Sequence, residues 1–156
     1  MRRRASYKKQ VIEGDYKYNR VDAARFINYL MTGGRKSIAE KVFYDAMDEI
    51  EKKTKTDPVL VFDKALENAS PLVQVVSKRV GGANYQVPRE VRLDRKFFLA
   101  SHWIITAAQK RKGAPMYKKL AEELLSASKN EGVAIKKKLD THRMAEANRA
   151  FASFVR

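Results

Sequence analysis

The chain contains two histidines, His102 and His142, forty residues apart in sequence. Neither stands among carboxylates at metal-ligand spacing, and the sequence has no cysteine at all. Disulfides and thiolate metal sites are therefore excluded, and the composition fits a reducing compartment. Asp140 and His142 are two apart in a segment that reads as helix, so they do not face each other. The glycine pair Gly81-Gly82 lacks the frame that cradles nucleotide phosphates. The sequence predicts no enzyme, no cofactor and no metal site. What the residue types do support is anion binding. There are 33 lysines and arginines against 18 acids in 156 residues, a formal charge of +15. Such an excess strains a compact state by self-repulsion and is kept where a polyanion cancels it. Nucleic acid is the expected polyanion.

The cations fall in clusters. Arg2, Arg3 and Arg4 open a basic arm over residues 1–10 that is expected to order on RNA or DNA. Gly34, Arg35 and Lys36 precede Ser37, with Glu40 three residues on. That spacing predicts a capping box, with the loop at a helix start where free amides and two cations hold phosphate. Arg92, Arg95 and Lys96 flank Asp94, read as the cap of another helix. On that helix Arg95, His102 and Gln109 recur every seven residues and share a polar face. Near the C-terminus Lys136, Lys137 and Lys138 point in three directions, whereas Lys136 and Arg143, seven apart, serve one surface.

Leu72 to Arg92 reads as a β-hairpin, because Gly81-Gly82 between valine-rich runs supplies the positive φ that a two-residue turn needs. The implied register sets Val80 opposite Ala83, Arg79 opposite Asn84, Lys78 opposite Tyr85, Ser77 opposite Gln86 and Val76 opposite Val87. Its tip is cationic and hydrogen-bonding. Tyr85 is the aromatic placed to stack on a base, although packing against Lys78 is the preferred reading.

The other elements are helices that position these groups. Val21–Met31 carries an apolar face and stops at Gly33-Gly34. The helix from Ser37 buries Ala39, Val42, Phe43, Ala46, Met47 and Ile50. Asp57-Pro58 starts a third, with aspartate as cap, and Pro71 ends it. After the ribbon, Phe97, Ala100, Trp103, Ile104, Ala107 and Ala108 form a wide core stripe, followed by the cations Lys110, Arg111 and Lys112, which suit a helix C-terminus. Pro115 starts a fifth helix, Asn130–Gly132 is a turn, and Val133 to about Phe154 is a weakly amphipathic sixth. With no repeat or linker, the expectation is one domain over residues 1–156: mainly α, about six helices in a bundle, with a projecting two-stranded ribbon between the third and fourth. The most apolar stretch, Phe97–Ala108, is interrupted and too short to span a membrane. The start has no apolar run behind its charges, so it is no secretory signal. A soluble cytoplasmic protein is expected.

A helical body with a basic ribbon could enter a DNA groove as bending proteins do, or clamp folded RNA through phosphates, sugars and unstacked bases. No helix carries polar side chains ranged for base edges as a recognition helix does. RNA is the preferred reading; a nucleoid-type DNA-bending protein is the alternative.

The blocks GGRKSIAEKVFYDA, SKRVGGANYQVPREVR and AIKKKLDTHRMAEANRAF resemble the signatures of the small-subunit ribosomal protein seven family in its bacterial form. The likeness runs over essentially the whole chain. It implies six helices with a ribbon between the third and fourth, and a primary binder of 16S ribosomal RNA that nucleates the head of the small subunit. It also implies a place near the decoding centre, the mRNA path and the exit-site tRNA, beside small-subunit proteins nine and eleven. Carried over by position, the RNA-binding residues are Arg2, Arg3, Arg4, Gly34, Arg35, Lys36, Ser37, Arg92, Arg95, Lys96, Lys136, Lys137, His142 and Arg143. On the ribbon Lys78, Arg79, Gly81 and Gly82 match, with the tip expected to face tRNA. The chain departs from the family where Val76 replaces a frequent basic residue, where His102 and Gln109 replace arginines, and at its SFVR end.

Overall fold

The computed structural model describes residues 11–155; the expected arm, with Arg2, Arg3 and Arg4, lies outside them. Six α-helices and one hairpin follow in the order α1 (Val21–Leu30), α2 (Lys36–Thr54), α3 (Pro58–Ala69), β1 (Val73–Val80), β2 (Ala83–Glu90), α4 (Leu93–Lys110), α5 (Met116–Ser128) and α6 (Val133–Ala147), with a short 3-10 helix, Arg149–Val155, after them. The apolar stripes read from the sequence meet in one core. Phe26, Phe43 and Phe62 pack edge-on or tilted at its centre, with ring centroids 5.2–5.7 Å apart, and Ile50, Ile104, Leu120 and Leu124 surround them without exposure. Trp103 packs against this cluster, as its place on the stripe of α4 predicted.

Helix α5 lies against α2, α3 and α4, and its buried face includes a charge. Glu123 is completely enclosed. Its carboxylate accepts from the Arg111 guanidinium at 2.6 and 3.1 Å and from the Ala134 amide, in the first turn of α6, at 3.1 Å. One side chain thus joins the end of α4, the middle of α5 and the start of α6. Gly132, at φ 100°, lies so close that a Cβ there would stand 3.0 Å from the Glu123 Oε1. Asn68 of α3 closes the far end of α5, donating to the Ala127 and Ser128 carbonyls.

Four of the expected helix boundaries are corrected. The capping box at Ser37 does not form. A turn with Gly33 and Gly34 at φ 61° and 75° lets Arg35 N–H donate to the Thr32 carbonyl, so the chain is helical from Lys36 and Ser37 already sits in the first turn. Helix α1 ends before those glycines, at Leu30, with Met31 extended. Asp94 does not cap α4, which starts at Leu93 after Arg92; its carboxylate instead pairs with Arg25 of α1 at 3.2 Å. The last helix is also not continuous to Phe154. It breaks at Asn148, which donates its side-chain amide to the Met144 carbonyl, and resumes as the 3-10 helix. By contrast Asp57 caps α3 as expected, accepting from the Val59 amide at 2.9 Å with Pro58 in the first turn.

The hairpin has the register read from the sequence at each of the five pairs from Val76 opposite Val87 to Val80 opposite Ala83, and the pairing continues to Val73 opposite Glu90. Gly81 and Gly82 turn it at φ 57° and 90°. An isolated two-stranded ribbon is marginal in water, and this one is not isolated. α6 and the 3-10 helix lie against it, Val87 is 3% exposed, and its base is closed by Val91 N–H donating to the Leu72 carbonyl at 3.0 Å.

Candidate nucleic-acid interface

Arg35, Lys36 and Ser37 are all exposed at the start of α2. No side chain caps that helix; the Lys36 amide donates to the Gly34 carbonyl, which leaves the Ser37 and Ile38 amides of the first turn beside two cations, a ready anion site. Arg35 lines a groove of about 570 Å³ with Thr32, Gly33, Ile38 and Gln109. The groove joins the loop to the polar face of α4, along which His102 and Arg95, both exposed, follow at one-heptad steps. Arg95 in turn shares a hollow with Arg92, Arg89, Gln74 and one acid, Glu90, at the foot of the ribbon. Arg89 continues onto the ribbon face, where it lines a second hollow with Val76, Ser77 and Lys78. The loop, α4 and one ribbon face therefore form one rail from Arg35 to Lys78, cationic at its two ends, with Gln109 and His102 on the α4 face between Arg35 and Arg95. Arg79, Gly81 and Gly82 lie exposed at its tip.

Arg89 belongs to this rail although the sequence reading passed over it. It pairs with Gln74 across the ribbon, and the same register that placed Lys78 and Val76 on one face puts Arg89 there too. Lys96 is half-buried in the first turn of α4.

Tyr85 has an additional partner: besides standing opposite Lys78, its ring packs on Phe151 of the 3-10 helix with centroids 5.3 Å apart. That contact gives the tyrosine an anchoring role in holding the C-terminal segment to β2.

Helix α6 carries the remaining cations. Lys136, Lys137 and Arg143 are exposed, while Lys138 turns inward and donates to the Asn68 carbonyl at 2.7 Å, at the end of α3. His142 is partly committed to structure. Its Nε2 accepts from the Leu72 amide at 3.1 Å, which fixes the chain where it enters β1. Accepting there requires the neutral ring with its proton on Nδ1, so only that nitrogen is left to donate to a phosphate. Burial, and then the Lys138 charge, hold the His142 pKa below the usual histidine value. Because the folded value is the lower one, the stabilisation is present above the ordinary value of about 6.5 and is lost as pH falls through the folded value. Stability should therefore decline as pH falls below about 7 and through the folded value. His142→Gln, whose amide oxygen can still accept, should flatten that part of the profile, the hydrogen bond contributing about 1 kcal/mol. Parallel profiles for the two proteins would contradict this.

The segment from which the N-terminal arm departs is anchored, a feature the sequence reading missed. Asp15, 8% exposed, accepts from the amides of Lys17, Tyr18 and Arg20 and from the Tyr44 hydroxyl of α2. Burial alone would raise its pKa, but these donors together outweigh it and hold it below the ordinary value. Lys17 pairs with Asp48 at 2.8 Å, and Arg20 with Asp63 at 2.7 Å. Gly14 is required here, since a Cβ would stand 2.7 Å from the Asn19 backbone.

Among the described residues no group of histidines and carboxylates could hold a metal ion, and no helix is long and apolar enough to cross a membrane. The geometry defines a class: a rigid helical body that presents a cationic rail and ribbon to an extended polyanion. Comparison with known proteins makes that class specific. The profile of the family described as Ribosomal protein S7p/S5e matches residues 1–149. The chain is 57% identical over 154 residues to the small ribosomal subunit protein uS7 of Rickettsia bellii (strain RML369-C), covering 99% of this chain and 94% of that one. It is 55% identical to the uS7 of Rickettsia canadensis (strain McKiel) and 54% identical to that of Rickettsia massiliae (strain Mtu5), each over 99% of this chain and 96% of the relative. The chain belongs to the ribosomal protein S7p/S5e family. It is a structural constituent of the small ribosomal subunit and not an enzyme, which sets the DNA-bending alternative aside.

Proposed function

We propose that this chain is a primary binder of 16S ribosomal RNA that nucleates assembly of the head of the small subunit, in the cytoplasm. The observation that carries the proposal is the continuity of the rail, from the Arg35 loop along α4 to the ribbon. Helices that are separate in sequence present cations in one line, which suits RNA strands that would otherwise repel each other. Gly34, Arg35, Lys36, Ser37, Arg92, Arg95 and Lys96 contact phosphate along it. Lys136, Lys137, His142 and Arg143 serve a second patch on α6, and Arg2, Arg3 and Arg4 add the arm. The ribbon tip, with Lys78, Arg79, Gly81 and Gly82, faces the exit-site tRNA near the decoding centre and mRNA path. Small-subunit proteins nine and eleven are the protein neighbours. The chain works as one domain.

Competition between a folded ribosomal RNA three-way junction and duplex DNA of equal length tests the reading. The junction should win; preference for the duplex would reject it. A second test concerns the tip. Replacing Lys78 and Arg79 together by alanine should weaken RNA or tRNA contact by about tenfold, about 1.4 kcal/mol, while the melting temperature stays within a few degrees. A collapse in melting temperature would show the pair to be structural.

A further inference from the structure

Midway along the rail, His102 does not resemble a solvated side chain. Its ring lies parallel to that of Phe98 one turn earlier, with centroids 5.6 Å apart and planes within 6°. Phe98 is itself held in place. Tyr29 of α1 meets it edge-on at 5.4 Å and 90°, and the Arg95 guanidinium lies over it at 4.7 Å. Tyr29 also packs on Phe97, and Arg25, paired with Asp94, covers that ring at 5.6 Å. A chain of aromatic contacts from α1 thus fixes the plane of a side chain that remains exposed.

A phosphate contact needs a charge that can reach, and gains nothing from a fixed plane. A base released from its helix needs a flat face already held still, since every base has a π-face and stacking is lost if the platform turns. We propose that His102 is a stacking platform for one unstacked base of the bound RNA, with Arg95 beside it for the backbone phosphate of the same strand. The proposal rests on the RNA-binding reading above and adds a base contact to a rail otherwise described by charge.

The test is equilibrium binding of the full chain to small-subunit ribosomal RNA over a series of salt concentrations. His102→Ala should weaken binding by about 5- to 100-fold and leave the slope of log affinity against log salt unchanged, because no counterion release is lost. His102→Phe should restore most of the affinity. His102→Lys should not restore it at moderate salt, and should steepen the slope by up to about 1. The inference is overturned if His102→Ala binds like the parent chain, or if His102→Lys binds better than His102→Phe. Failure of the parent chain itself to bind would instead reject the RNA-binding reading, and this inference with it.

Discussion

Raising salt from about 50 to about 200 mM should weaken binding of this protein to small-subunit ribosomal RNA by about a thousandfold or more, the loss expected for roughly six to ten phosphate contacts. The magnitude follows from how the affinity is built. Each phosphate neutralised by a lysine or arginine releases condensed counterions, and that release becomes less favourable as bulk salt rises. The rail has Arg35 at one end and Arg95, Arg92, Arg89 and Lys78 at the other, and Lys36 is exposed beside Arg35, enough cations for a steep dependence. Arg35→Gln with Lys36→Gln should lower the slope by about 2, about 1 for each contact removed. A shallow dependence in the parent chain would mean that few phosphates are neutralised and that the +15 charge is not what holds the RNA.

The second large effect is on stability. Arg111→Met should cost about 3–5 kcal/mol, because it leaves the Glu123 carboxylate enclosed without its cation. For a chain of this size that is a fall in melting temperature of about 6–20 °C. The companion change Glu123→Gln removes the stranded charge yet keeps an oxygen for the Ala134 amide. The double variant should therefore be more stable than Arg111→Met alone, a coupling visible in a double-mutant cycle. Arg111→Met melting within a degree or two of the parent would show that Glu123 finds another partner. Since this carboxylate sets where α6 starts, RNA binding through Lys136 and Arg143 should weaken along with the fold.

The ribbon was the most legible part of the sequence. Two glycines fix a two-residue turn, and a period of two then dictates every cross-strand pair. The core stripes of α2 and α4 were legible for the same kind of reason, since apolar residues at helical spacing have one place to go. Buried polar groups were harder to see. Glu123 lies three residues after Leu120 and four before Ala127, on the inward face of α5, but nothing local announces that Arg111 will fold back to meet it. Asp15 is similar, because its partner Tyr44 is 29 residues away. The capping box at Ser37 was misleading since the glycine turn before it already drives the chain into helix, and local sequence cannot say which device wins. The cation clusters were visible as clusters, but their order along one surface was not. Arg89 joins Arg95 to Lys78 only because it lines both the hollow at the ribbon foot and the one on the ribbon face.

The central claim is that the protein uses its charge by docking one ordered face onto folded ribosomal RNA. Chemical footprinting of small-subunit ribosomal RNA, with the purified chain added at increasing concentration, measures this directly. The account predicts a saturable set of protections confined to one region of the RNA, with Arg35→Gln and the Lys78, Arg79 double alanine variant each losing a different part of it. Protections spread evenly along the RNA, or none at concentrations where the protein is fully folded, would contradict it.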